Sequence, residues 1–181
     1  FNLDISNYYE KLETSSSASA IKKKQEGDYF ENLISYSLTF NKLDQNFQPS
    51  DGHITKFSQT LPIYSDDQSI ENFFTTAKYH SVNESLIFSG KLFLKAVNSF
   101  DDDVRVSKRV YIPSSRLRGF ESGSIGPKDG TQYVGGNYGT AFTFNTTLPQ
   151  LFNANENMDF NLFFDAANLW HVDYDSSLES N

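Results

Sequence analysis

Strict two-residue alternation, sustained over unusually long segments, constrains this chain more than any other feature. From Ile34, the residues Ile34, Tyr36, Leu38 and Phe40 fall on one parity, with Ser35, Ser37, Thr39 and Asn41 on the other. Side chains of a strand point to opposite faces in turn, so this segment has one apolar face and one wet face. The pattern recurs. Phe1, Leu3 and Ile5 alternate with Asn2, Asp4 and Ser6, while Phe57, Leu61 and Ile63 oppose Lys56, Ser58 and Thr60. Leu86, Phe88, Gly90, Leu92, Leu94 and Ala96 oppose Ser89, Lys91 and Lys95. Tyr138, Phe142, Phe144 and Leu148 oppose Gly139, Thr143, Asn145 and Thr147, and Phe160, Leu162 and Phe164 oppose Asn161 and Asp165. Residues 70–80 are apolar on both parities in places, which leaves that strand without a readable orientation.

These segments make roughly seven strands, most of about 9–12 residues, where a soluble strand has about 5–6 and a tilted bilayer-crossing strand about 9–11. Length and alternation together favour an all-β fold, the wall of an antiparallel barrel in lipid. Mean hydropathy is −0.51 although aromatics reach 15%. That combination suits a barrel, because alternating apolar and polar residues average out as polar. No run approaches the length of a membrane helix. The 181 residues amount to one domain or part of one. The formal charge of −8 disfavours nucleic acid as a partner, and the lack of cysteine excludes disulfides and zinc-thiolate sites.

Connections alternate in size. Residues 44–52, 81–85 and 150–157 are short; 14–31 and 98–136 are long; 64–69 belongs with the long ones but is short. Short turns at one end and long loops at the other are the pattern of outer-membrane barrels. Within 15–25, helix formers precede a stop at Gly27, and Lys22, Lys23 and Lys24 read as a solvated charged turn, or as contacts to anionic headgroups.

No enzyme is expected. His53, His80 and His171 match no metal spacing, and no nucleophile-elbow, phosphate-loop or dinucleotide glycine pattern occurs. Neither a cofactor nor a metal is expected: Asp101, Asp102 and Asp103 have calcium-binding chemistry, but an acidic loop run is ordinarily solvated. Gly135, Gly136 and Gly139 read as loop-exit flexibility. Trp170 and Tyr174 suit an interfacial aromatic girdle or ordinary packing.

The segment 98–136 stands apart, because loops beyond about 12–15 residues are usually functional or disordered. Its centre runs Arg116-Leu117-Arg118-Gly119-Phe120-Glu121-Ser122-Gly123-Ser124-Ile125-Gly126-Pro127. Arginines, a φ-permissive glycine, an aromatic and a proline suit a loop packed into a confined space. Here the chain resembles the superfamily of outer-membrane assembly and translocation barrels, the bacterial surface antigen barrel domain. That family carries R-G-F/Y at the tip of a long inward-folded loop, and the chain has Arg118-Gly119-Phe120 followed by Ile125-Gly126-Pro127. Asn41-Lys42-Leu43-Asp44 with Phe47, Pro49, Asp51 and Gly52 is similar to a family strand and turn. Gly135-Gly136-Asn137 is similar to its loop exit, and Phe163-Phe164-Asp165 with Leu169-Trp170 to its late acidic strand. Two departures stand out. Ile112-Pro113 occupies the place of a frequent Gly-Gly pair, implying a stiffer loop entry. Asp165-Ala166-Ala167 replaces D-x-G, implying a less close backbone approach at the third position.

The resemblance implies that Arg118 reaches an acidic group on the inner wall, and parity nominates Asp165, which lies opposite the apolar Phe face. Bidentate charge-assisted hydrogen bonds are expected between them. The resemblance further implies an assembly insertase of the bacterial outer membrane, in which a client strand pairs with an open seam by β-augmentation. Its implied partners are unfolded outer-membrane β-barrel clients, outer-membrane lipids and the accessory lipoproteins of an assembly complex. Residues 1–181 are then expected to be about seven strands of a sixteen-stranded barrel, an open sheet without the periplasmic polypeptide-transport-associated domains and without both seam strands. The alternatives are a related barrel secreting a passenger polypeptide, a passive porin, and a soluble β-sheet binding module.

Overall fold

A computed structural model describes residues 1–83, 85–100, 103–148 and 160–178. Seven long strands form one antiparallel sheet: β1 (Asn2–Leu12), β2 (Gly27–Asn41), β3 (Gly52–Ser65), β4 (Ser69–Asn83), β5 (Leu86–Ser99), β8 (Tyr138–Leu148) and β9 (Phe160–Trp170). Each pairs with its neighbour in sequence, in the order β1-β2-β3-β4-β5-β8-β9. The short pair β6 (Lys128–Asp129) and β7 (Gln132–Tyr133) forms a separate hairpin within the long loop. The strands are 11 to 15 residues long, enough for a tilted bilayer crossing of about 9–11 residues and, in the longer ones, an extension beyond it.

Register carries one parity across the whole sheet. Leu38 pairs with Phe57, Phe57 with Phe74, Phe74 with Leu94, Leu92 with Phe142 and Phe144 with Phe164. Leu38, Leu94, Phe142, Phe144, Leu162 and Phe164 are exposed on this face. Burying so large an apolar surface against lipid is what drives such a wall into a membrane. The same register settles the strand with no readable orientation. Ile70, Asn72, Phe74 and Thr76 face outward, and Phe73 faces in, where it meets Phe93 edge-on at 5.4 Å. Its double-sided apolarity arises because one face meets lipid and the other packs beneath the long loop.

Polar side chains on the outer face satisfy one another. Tyr36 Oη donates to Gln59 Oε1 (3.0 Å) and Gln59 Nε2 to Asn72 Oδ1 (2.6 Å), across β2, β3 and β4. Thr55 and Thr76 hydroxyls bond at 2.9 Å. In lipid no water replaces such partners, so a cross-strand ladder is the economical arrangement.

The structure changes some expectations and resolves others. β2 begins at Gly27, so the first long loop is shorter than 14–31; residues 27–33 alternate poorly but complete the ladder that β1 offers from Ser6 to Leu12. It holds the short helix α1 (Ala20–Lys24), whose Lys22 Nζ donates to Gln132 Oε1 of the long loop (3.1 Å). A register shift between Asn32 and Leu33 leaves Ile63 without a partner in the ladder, so the outward parity passes to Tyr64. Tyr174 is no girdle residue, because it lies under the Arg109 guanidinium (4.8 Å), where burial raises its phenol pKa. Trp170 is on the outer parity beside Tyr138 (5.9 Å), at the end of the sheet nearest the long loop. The turn at 150–157 and the acidic pair Asp101 and Asp102 lie outside the described residues. Among the described residues no side-chain cluster has metal-binding composition.

Candidate functional site

The loop between β5 and β8 folds onto the inner face of the sheet. Its entry and exit are stitched together by Val110 and Gly136, which exchange both backbone hydrogen bonds (2.8 and 3.1 Å). The exit then extends the ladder, with Asn137 N–H donating to the His171 carbonyl and Val97 N–H to that of Asn137. Loop residues Val104, Val110, Ile112 and Leu117 bury themselves against Phe93 and Val97 of β5, Ala141 of β8 and Leu169 of β9. Beneath the loop, an inner face that a barrel usually leaves wet is dry.

The glycines expected to loosen the loop exit do the opposite. A Cβ on Gly136 would lie 2.7 Å from the Trp170 carbonyl oxygen, and one on Gly139 would lie 2.6 Å from Val110 Cγ1. They permit close approach and so rigidify the exit. At the altered D-x-G pattern, Ala167 is partly buried against the core, and the tight loop–β9 contact lies at Gly126, where a Cβ would be 2.7 Å from Leu169 Cβ. Gly126 also has φ +97, a second reason for glycine.

Arg118 and Asp165 are brought together. Arg118 Nε donates to Asp165 Oδ2 (2.7 Å) and Nη2 to Oδ1 (2.7 Å), the bidentate fork expected of these groups. The Arg118 backbone N–H adds a third bond to Oδ2 (3.0 Å). Asp165 is 3% exposed and Arg118 35%. The guanidinium pKa is raised, chiefly by the hydrogen bonds to Asp165.

Two further partners escaped the sequence. Arg118 Nη2 also donates to Asn145 Oδ1 of β8 (2.9 Å), and the guanidinium stacks 3.6 Å above the Phe163 ring. Both were findable, since Phe163 shares the inward parity of Asp165 and Asn145 that of Thr143. A second arginine repeats the theme, with Arg116 stacked 4.2 Å over Phe93. Burial lowers its pKa.

The other motif residues divide the work. Gly119 has φ +89, and a Cβ there would meet nothing, so the turn itself requires glycine. Phe120 is exposed, whereas Ile125 packs on the loop core and Pro127 is fully buried, its carbonyl accepting from Val134 N–H (3.1 Å). The constellation contains no nucleophile–base pair; what it does is clamp a loop tip to β8 and β9.

The Omp85 superfamily domain matches residues 1–181. The outer membrane protein assembly factor BamA of Neorickettsia risticii (strain Illinois) is 28% identical over 158 residues, covering 83% of this chain and 21% of that protein. The crystal structure of BamA from Haemophilus ducreyi lacking POTRA domains 1–3 superimposes with a TM-score of 0.74 at 23% identity, over 81% of this chain and 31% of the other. The chain thus spans about a fifth of the curated relative's length and about a third of the solved one.

Proposed function

The chain belongs to the Omp85 superfamily of the bacterial outer membrane, and from that membership we propose that it is part of the membrane barrel of an outer-membrane protein insertase. The barrel opens a seam, and an unfolded client strand pairs with the bare edge, satisfying backbone groups that lipid cannot. Domains and seam strands outside residues 1–181 complete the machine. Its partners are β-barrel clients, outer-membrane lipids and accessory lipoproteins. The work is mechanical: no bond is made or broken, and no cofactor is used.

The observation that carries this reading is the Arg118–Asp165 clamp at the tip of a loop with a dry underside. A passive pore has no need of an internal brace. A wall whose seam must part does, because a sheet that opens at an edge loses ladder hydrogen bonds and must resist further unzipping. Arg118→Ala in the full-length gene should lower the steady-state level of several unrelated outer-membrane barrels. Unchanged levels would remove the bracing role. Loss of one secreted passenger, with barrel levels normal, would reassign the chain to a translocation barrel.

A further inference from the structure

The long loop has a second charged attachment, far from the first. Arg105 is 3% exposed. Its Nη2 lies 2.5 Å from Glu31 Oε1 and 3.0 Å from Glu10 Oε2, and its Nε 3.7 Å from Asp67 Oδ2. The guanidinium sits 3.9 Å over the Tyr29 ring. Lys108, one turn on, reaches Glu31 Oε1 (2.8 Å) and Ser69 Oγ (3.2 Å). Glu10 belongs to β1, Glu31 and Tyr29 to β2, Asp67 to the β3–β4 connection and Ser69 to β4. Arg118 by contrast holds β8 and β9, at the other end of the sheet.

One loop therefore grips both ends of a seven-stranded wall from its inner side. Strands so far apart in the sheet order meet one loop only if the sheet curves around it, so the loop spans the arc as a chord. We propose that Arg105 is a positioning residue that makes the loop a tie across the wall and thereby sets the wall's curvature. Arginine suits this role, because Nη2 meets both Glu10 and Glu31, Nε donates to Ser107 Oγ of the loop itself (3.0 Å) with Asp67 beyond it, and the flat face stacks on Tyr29. The asymmetry in burial divides the labour. The 3%-exposed Arg105 end is the fixed anchor, and the Arg118 end, 35% exposed, is the one that water can reach and release.

The effect of curvature on client insertion rests on the insertase reading; the tie itself does not. The test uses the full-length protein in bilayers, with spin labels replacing the outward-facing Leu38 of β2 and Leu162 of β9, and pulsed dipolar spectroscopy of the distance between them. Arg105→Gln should shift or broaden that distance by at least about 3 Å, the displacement on opening a contact ion pair to a water-separated one. Arg105→Lys, which keeps the charge and loses the Ser107 bond and the stack on Tyr29, should restore it in part. If Arg105→Gln does not assemble, Glu10→Gln makes the same measurement on the β1 partner alone and should broaden the distribution. An unchanged distribution in assembled Arg105→Gln, or in Glu10→Gln where that variant takes its place, overturns the tie. A changed distance with normal client insertion upholds the tie and separates it from the insertase reading.

Discussion

Replacing Arg118 by glutamine should lift the loop tip far more often than replacing Asp165 by asparagine, although both break the same pair. In Arg118→Gln, Asp165 keeps its charge in a site 3% exposed. It retains only the residue-118 backbone N–H and the Thr143 hydroxyl as donors. Breaking a fully buried pair from one side costs about 3–5 kcal/mol, and exposed pairs contribute about 0–1. With Arg118 35% exposed beside a wet lumen, an intermediate value of roughly 2 kcal/mol is appropriate, equivalent to about a 30-fold rise in the open population. In Asp165→Asn the stranded charge is the arginine, which can turn to water and keep its Asn145 bond, so the loss should be nearer about 1 kcal/mol. Ala141 offers the assay. It is a small, buried residue of β8 beneath the loop, and residues 1–181 contain no cysteine. In a cysteine-free full-length background, thiol labelling of Ala141→Cys requires the loop to lift, and its rate follows the open population when reclosing is fast. The expected order is Arg118→Gln, then Asp165→Asn, then the parent. Less than about a threefold rise for Arg118→Gln, or the reverse order of the two variants, would refute the reasoning from burial.

The exchange Arg118→Asp with Asp165→Arg should recover part of the assembly activity lost in either single variant, and only part, because the backbone N–H and Thr143 then face a cation; complementation of a depletion strain reads this out. Gly126→Ala should destabilise by about 1–3 kcal/mol through its positive φ and the contact with Leu169, visible as a lower midpoint of heat-induced mobility shift in semi-native electrophoresis. Asp67, in the β3–β4 connection among Glu31, Glu10, Arg105 and Lys108, has its pKa raised, chiefly by burial. The folded state therefore binds that proton more tightly than the unfolded one, so stability falls as pH rises through the window above the ordinary aspartate value of about 4. Asp67→Asn should flatten that slope in the same electrophoretic assay run from acid to neutral pH, and an unchanged slope would count against burial as the dominant influence.

The wall was legible because alternation is a local property. Every second side chain of a strand shares a face whatever the rest of the chain does, so Leu38, Phe142 and Phe164 could be placed outward, and Asp165 inward, from spacing alone. Turn chemistry and loop length then ordered the hairpins. The strand at residues 70–80 was not legible, because burial under a loop and exposure to lipid both select apolar residues, and only the register with β5 separates Phe73 from Phe74. The outward parity of Phe57, Leu61 and the exposed Ile63 could not be carried on to Tyr64 for a related reason: one extra residue in a ladder flips every parity beyond it.

The loop divides in the same way. Its length and the Arg118-Gly119-Phe120 string marked it as an inward plug, and parity supplied Asp165. Glu10, Glu31 and Asp67 look in sequence like ordinary solvated carboxylates on three separate elements, and Gly136 and Gly139 like slack. What brings the carboxylates to Arg105 is the curvature of the sheet, and what makes the glycines tight contacts is the approach of β9 and Val110 to the loop exit. Outside residues 70–80 and the bulge after Ile63, the sequence by itself thus determined which residues face lipid and which face inward, since that depends on backbone period. Only the tertiary structure decided which inward charges meet, since that depends on the accumulated twist and register of seven strands, to which no single segment holds the key.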